Sequence, residues 1–359
     1  MTVTLPNFEG AVCPIPLPHS RKIVLGHGSG GRMSLELISK IFLPSFDNPI
    51  LRTGDDAGIV IIPNDVDEAG SKLAISTDSH VVMPLFFPGG DIGRLAICGT
   101  VNDVSMMGAR PLYLTAAFVL EEGLDVEILD KVVESMRLAA AEANVQIIAG
   151  DTKVVQNGKA DGLYLNTTGI GIIPNQVNIS GTRAQPGDAI IVSGTIGDHG
   201  IAVLAARGEL NFTTQVTSDV APLNGLVSAM LHAPNAIHVL RDPTRGGLAT
   251  SLNEIAIQSN VGVRIYEDAI PIKPAVAAAC EMLGFDPLYV ANEGKLIAIV
   301  EQNYADEILS IIKNHPLGSD ASIIGNITEN PGDHVTLKTN FGTTRMVDML
   351  SGEMLPRIC

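Results

Sequence analysis

Residues 111–149, PLYLTAAFVLEEGLDVEILDKVVESMRLAAAEANVQIIA, read as a strand, a helix and a second strand. Val126, Ile128, Leu129, Val132, Val133 and Met136 recur at helical spacing, so Leu124–Asn144 is predicted as an amphipathic helix. Pro111–Leu120 before it is a strand, and Gln146–Ala149 after it is a strand running into a loop, Gly150-Asp151-Thr152-Lys153. Working outward, Asp91–Met107 is predicted helical, and Ile59–Ile62 and Leu73–Thr77 are strands. Further towards the N-terminus, the Gly-rich loop GHGSGG (26–31) precedes a helix over 32–43, behind a proline-rich leader at 1–22. A second unit begins near residue 180. It holds a buried strand Ala189–Ser193, helices at Ile201–Ala206, Asn224–His232, Gly247–Gln258 and Ala275–Leu283, and a strand Lys295–Val300. A helix near Tyr304–Asn314 and a strand near Ser322–Ile327 complete it.

Two halves of similar size and similar strand–helix mixture, without a repeat at a fixed period, give an α+β fold. The expectation is two α/β sandwich domains with mixed sheets, spanning residues 1–178 and 179–335. A flexible tail at 336–359 would carry Cys359 as the last residue. At 359 residues, 46% hydrophobic but 4% aromatic and without tryptophan, the chain suits a Val/Ile/Leu/Ala interior split between two cores.

A net charge of −16 disfavours phosphate-backbone partners, so no nucleic acid is expected. No run approaches the roughly 18 uncharged apolar residues of a membrane span, and MTVTLPNFEG lacks the marks of a signal peptide. The expected location is the cytoplasm. Cys13, Cys98, Cys280 and Cys359 form no CxxC pair, so neither a disulfide framework nor a zinc site is indicated.

Acidic residues recur at the ends of short apolar runs: Asp55 and Asp56 in TGDDA, Asp78 in STDS, Asp103 in the helix at 91–107, and Asp151 in GDTK. DPTRGG (242–247) and NEGK (292–295) continue the series in the second half. A site that grips a triphosphate without a Walker loop needs carboxylates to hold Mg²⁺, and no GxxxxGK[ST] is present. Asp55, Asp56, Asp78, Asp103 and Asp151 could supply that cage. Each alone is more often turn or cap chemistry than a ligand, and GHGSGG is either a linker or a loop that closes over phosphates before a helix N-terminus.

Taken together, GHGSGG (26–31), TGDDAG (53–58), STDSHVV (76–82), PLFFPGGDIGRLAICGTVNDVSMMGARP (84–111), AGDTKVV (149–155) and NTTGIGII (166–173) resemble a known family. GDHG (197–200), RDPTRGGLAT (241–250), NEGK (292–295) and the ending PRIC (356–359) extend the match over nearly the whole chain. That family is HypE, the carbamoyl dehydratases of hydrogenase maturation, within the superfamily named for aminoimidazole ribonucleotide synthetase (PurM-like). The resemblance implies a homodimer whose N-terminal strands form a shared barrel. It implies ATP and Mg²⁺ in clefts lined by the Asp loops, Thr152 and the glycines Gly28, Gly30 and Gly31. The HypF carbamoyltransferase would load Cys359, and the finished cyano group would pass to the iron of a HypC–HypD complex. Glu293 and Lys153 are implied in proton removal and substrate orientation. Read from their residues alone, they are a turn carboxylate and a solvated lysine.

Two other readings stay open. Aminoimidazole ribonucleotide synthetase and selenophosphate synthetase share the acidic loops, but the first has no use for a C-terminal cysteine. The second wants a cysteine beside the Gly-rich loop, and Cys13 lies well upstream. A non-catalytic carrier that only displays Cys359 is the third possibility.

Overall fold

The computed structural model describes residues 23–62, 71–208, 214–329 and 334–352. The predicted leader and Cys359 lie outside that set.

Helices α1 (Arg32–Leu37) and α2 (Leu43–Phe46), joined through a π-helical turn, lead into a first sheet. Its strands are β1 (Gly58–Ile62), β2 (Ser71–His80), β5 (Arg110–Glu121), β6 (Gln146–Val155) and β7 (Leu163–Ile173), in the order β1-β2-β7-β5-β6. A two-residue hairpin, β3 (Phe86–Phe87) with β4 (Gly90–Asp91), opens helix α3 (Ile92–Met106). Helix α4 (Val126–Glu142) joins β5 to its parallel neighbour β6, while the other pairs are antiparallel. The sheet is therefore mixed, as expected.

Period-two alternation decides its faces. In β7, Leu163, Leu165, Thr167, Gly169, Gly171 and Ile173 are buried while the residues between them are half-exposed or exposed. Helix α3 lies on the buried side, with Gly169 and Gly171 beneath Thr100 and Val104. The opposite face carries Ile75, Tyr113 and Ile172, each more than a third exposed, and among the described residues no helix covers it. The expected loop Gly150–Lys153 is instead the middle of β6, an edge strand. It pairs with β5 through Asp151↔Ala117 and Lys153↔Val119, because the partner strand continues past Ala149.

The second sheet has seven strands in the order β14-β13-β10-β12-β8-β11-β9. These are β8 (Ala189–Val192), β9 (Ile237–Arg241), β10 (Gly262–Tyr266), β11 (Ile297–Val300), β12 (Ser322–Thr328), β13 (Val335–Lys338) and β14 (Thr344–Val347). Helices α5 (Asp198–Arg207), α6 (Asn224–Met230), α7 (Gly247–Ser259), α8 (Pro274–Leu283) and α9 (Ala305–Lys313) surround it. Both sides of β8 are buried. Ala189 and Ile191 face the cluster that includes α6 and α9, and Ile190 and Val192 face the cluster that includes α7. The first of these clusters also takes in Ala74, Val104, Met106 and Ile173 of the first domain, so the domains share an apolar seam.

Strands β13 and β14 correct the expected boundary at 335. Val335 and Leu337 are buried against β10, and Val347 is buried at the end of β14, so residues 335–347 belong to the second sheet. An alternation too short to stand out in the sequence hid them. Among the described residues no helix is long and apolar enough to cross a membrane.

Candidate active site

Asp78 sits on the helix-facing side of β2, beside Gly99 of α3. A Cβ at Gly99 would stand 3.0 Å from the His80 ring and 3.7 Å from Asp78 Oδ2, so glycine lets helix and strand close on each other. One turn along α3, Asp103 accepts a hydrogen bond from Ser76 Oγ at 2.7 Å. Burial, then Asp242, Asp78 and Asp56, push the Asp103 carboxyl well above the usual range. The neighbouring Asn102 donates to Ala221 O and accepts from Leu223 N, which ties α3 to the second domain.

From that domain come Asp242, at the end of β9, and Glu293. Both are buried, at 7% and 3% exposure, and among the described residues Asp242 Oδ2 and Glu293 Oε1 have no hydrogen-bond partner. Burial, joined by the charges of Asp78 and Glu254, pushes Asp242 up to about 6. Glu293 is pushed well above its ordinary value by burial, then by Asp242, Asp78 and Asp219. Asn292 holds the three surrounding loops together: its Oδ1 accepts from Gly197 N at 2.7 Å and its Nδ2 donates to Pro243 O at 2.8 Å. Asp219 accepts from Glu293 N at 3.1 Å and from Lys295 Nζ at 3.0 Å.

Carboxylates of both domains thus converge at low dielectric with few internal partners. Such a group must bind protons or a cation. Asp78, Asp103 and Asp242 bring hard oxygen donors of the kind a divalent cation takes, without closing a coordination site in the single chain.

Not every predicted ligand is free to join. Asp55 accepts from Ser180 Oγ at 2.9 Å and Gly181 N at 2.7 Å, fixing the interdomain linker. Asp56 pairs with Arg241 at 2.9 Å. Asp151 lies elsewhere. It shares a row with Ala117, Asn166 and Ser79 on the uncovered face of the sheet, the face opposite Asp78. Three strand spacings, roughly 14 Å, separate it from β2. There it pairs with Lys153 at 2.6 Å, both more than 60% exposed, and accepts from Thr152 N. The single chain therefore does not assemble the expected five-carboxylate cage. Among the described residues no three His, Cys, Asp or Glu side chains are poised to hold a metal.

The Gly-rich loop meets protein rather than open space at two of its three predicted positions. Gly30, at φ +78°, would place a Cβ 2.9 Å from Arg245 O, and a Cβ on Gly31 would stand 2.2 Å from Leu350 O. Gly28 is open at its Cα and accepts from Arg245 Nη1 through its carbonyl at 2.8 Å. GHGSGG and DPTRGG are thus one structural unit. The C-terminal run joins it, since Leu350 O accepts from Arg32 N at 2.8 Å and Tyr289 donates to Asp348 O. Leu350 therefore stands beside Gly31 and Arg32, nine residues before Cys359.

Asp242, Asn292, Asp219 and Arg241 escaped the prediction as site residues. Asp242 and Asn292 stood in the quoted motifs DPTRGG and NEGK, which was the available signal. Asp219 lies in no motif.

The fold and site define a class. Residues 54–173 match the N-terminal domain, and residues 185–338 the C-terminal domain, of AIR synthase related proteins. Within that class the similarity is specific. The chain is 53% identical over 340 residues to the carbamoyl dehydratase HypE of Cupriavidus necator, covering 95% of each. It is 45% identical to that of Escherichia coli K12, covering 94% of this chain and 99% of the relative. A solved HypE–HypF complex aligns at TM-score 0.82 and 52% identity, over 88% of this chain and 99% of the other. A HypE in complex with ATP aligns at 0.78 and 50%, over 94% and 100%. The chain belongs to the HypE family of carbamoyl dehydratases of hydrogenase maturation.

Proposed function

We propose that this protein binds ATP with Mg²⁺ between its two domains and dehydrates an S-carbamoyl group on its own Cys359 to an S-cyanate. The observation that carries the reading is the convergence of Asp78, Asp103, Asp242 and Glu293 from both domains, with two buried carboxylate oxygens unpartnered.

A thiocarbamate amide does not dehydrate unaided. Attack of its oxygen on the γ-phosphate of ATP, with loss of one N–H proton, gives an O-phosphorylated imidate and ADP. Loss of phosphate with the second N–H proton leaves Cys359–S–C≡N. Glu293 suits the role of base, because its raised carboxyl holds protons more strongly than an exposed glutamate. Asp78, Asp103 and Asp242 would hold Mg²⁺, which supplies charge neutralisation on the transferring phosphoryl group. Asp55 and Asp56 tie the loop before β1 to the interdomain linker and to Arg241. Arg245 joins the glycine loop to the cleft rim, with Gly28, Gly30 and Gly31 beside the nucleotide.

The C-terminal run docks as far as Leu350, so the arm carrying Cys359 reaches roughly 30 Å rather than the roughly 80 Å of a 24-residue tail. That still permits visits to several sites from an anchor beside Gly31.

Asp151, Thr152 and Lys153 act, on this reading, in the site of a second copy. The uncovered sheet face, with Ile75, Tyr113 and Ile172, forms the homodimer contact, and it carries the Asp151–Lys153 pair towards the partner's cleft. The HypF carbamoyltransferase loads Cys359 and the HypC–HypD complex receives the cyano group, all in the cytoplasm.

The test is ADP release by the purified chain with and without HypF and carbamoyl phosphate. Stoichiometric ADP that requires both, and disappears in Cys359→Ala, supports the reading. ADP release indifferent to carbamoylation overturns it.

A further inference from the structure

Arg241 closes β9, one residue before Asp242, and is 7% exposed. Its guanidinium reaches Asp56 at 2.9 Å, Glu254 at 3.2 Å, Gln258 Oε1 at 3.0 Å and the Gly54 carbonyl at 3.2 Å. Asp56 and Gly54 belong to the first domain, while Glu254 and Gln258 belong to α7 of the second. Gln258 adds its own bonds to the Gly54 and Thr53 carbonyls, at 2.6 and 3.2 Å. Ser259 donates to Gly181 O, and Gly181 N in turn donates to Asp55. The C-terminal end of α7 therefore grips the loop Thr53–Ala57 and the interdomain linker together. Its N-terminal end, roughly 20 Å away, starts at Gly247 in the loop that holds Asp242 and Arg245.

Both sides of this clamp adjoin the carboxylate cluster. Asp242 follows Arg241 directly. Asp56 leads into β1, whose Gly58 pairs with Ile75 of β2, the strand that presents Asp78. A planar fork with several fixed donors can set such a junction, whereas the three donors of a lysine radiate from one nitrogen and do not span it.

We infer that Arg241 is a positioning residue: it fixes the separation between the carboxylates of the first domain, Asp78 and Asp103, and those of the second, Asp242 and Glu293. The inference rests on the Mg²⁺–ATP reading above.

The experiment compares wild type, Arg241→Lys and Glu254→Gln as full-length chains. It measures thermal unfolding, the dissociation constant for Mg²⁺–ATP by calorimetry, and kcat and KM for dehydration of the carbamoylated chain. Arg241→Lys is expected to raise the dissociation constant and KM about tenfold. Its kcat at saturating nucleotide stays close to wild type, because bound nucleotide draws the half-sites together. Glu254→Gln, a neutral change of the same shape, gives a smaller rise in the same direction.

A purely structural strut would act otherwise, lowering the folded fraction and kcat with the dissociation constant and KM unchanged, and that result overturns the inference. If Arg241→Lys does not fold, Glu254→Gln decides alone, and an unchanged dissociation constant refutes it. A wild type that binds nucleotide but never dehydrates fails the earlier proposal instead, and the comparison of dissociation constants still tests the clamp.

Discussion

Replacing Glu293 by glutamine changes two quantities in opposite directions. The wild-type carboxylate is 3% exposed, its Oε1 has no partner, and Asp242, Asp78 and Asp219 add repulsion to the loss of hydration. Glutamine keeps the shape and removes the charge. Relief of an unsatisfied buried ionic group is worth about 1–3 kcal/mol. Unfolding entropy of about 2.1 cal/mol/K per residue, over the chain's 359 residues, gives roughly 0.75 kcal/mol/K. The nucleotide-free variant should therefore melt roughly 1–4 °C above wild type. Its dehydration rate should fall about 10²–10⁴-fold, the usual contribution of a general base. Scanning calorimetry without nucleotide, beside the rate of water loss from the carbamoylated chain, reads both. A variant that melts lower and dehydrates at the wild-type rate refutes the assignment of Glu293 as a strained, buried base.

The folded-state value of Asp242, about 6, lies above the roughly 3.9 of an unfolded aspartate, so its ionisation opposes folding. The destabilisation is present above pH 6 and disappears as pH falls from there towards 4. Without metal, Asp242→Asn should therefore melt above wild type at pH 7.5, with the gap roughly halved at pH 5 and closing below pH 4, and Mg²⁺–ATP should narrow it at pH 7.5. Gly31→Ala would push a methyl group to 2.2 Å from Leu350 O, and overpacking of this kind destabilises by about 1–3 kcal/mol. Limited proteolysis should then cut more readily near Leu350, with slower dehydration and unchanged carbamoylation. Lys153→Ala and Glu293→Gln should each be inactive alone, yet mixed copies should recover about a quarter of wild-type activity, since half the dimers then hold one intact site. No recovery on mixing would place Lys153 and Glu293 of one chain in the same site.

The parts of the fold carried by long periodic segments were legible in the sequence. Helices α3 and α4 and strand β5 fall within a few residues of their predicted spans, since their apolar spacing is dictated by one continuous buried face. Strands β13 and β14, at four residues each, are too short for alternation to register, so the sequence there reads as a tail. GDTK reads as a loop because glycine and aspartate favour turns. Its extended form depends on pairing with β5, a tertiary fact. The acidic motifs pointed to the right region, but not to which oxygens are free. Asp55 and Asp56 are committed to a linker and a guanidinium, while Asp242, part of a quoted motif, keeps one carboxylate oxygen unpartnered among the described residues. The face on which a strand residue lies separates Asp78 from Asp151, and one-dimensional spacing does not carry that.

The intact mass of the purified chain, after incubation with HypF, carbamoyl phosphate and ATP, tests the central claim most directly. With Mg²⁺ present, an adduct of about 43 Da should appear and then lose about 18 Da, and neither species should form in Cys359→Ala. A carbamoyl adduct that persists unchanged with Mg²⁺–ATP on folded protein would contradict the dehydratase and leave Cys359 as a carrier.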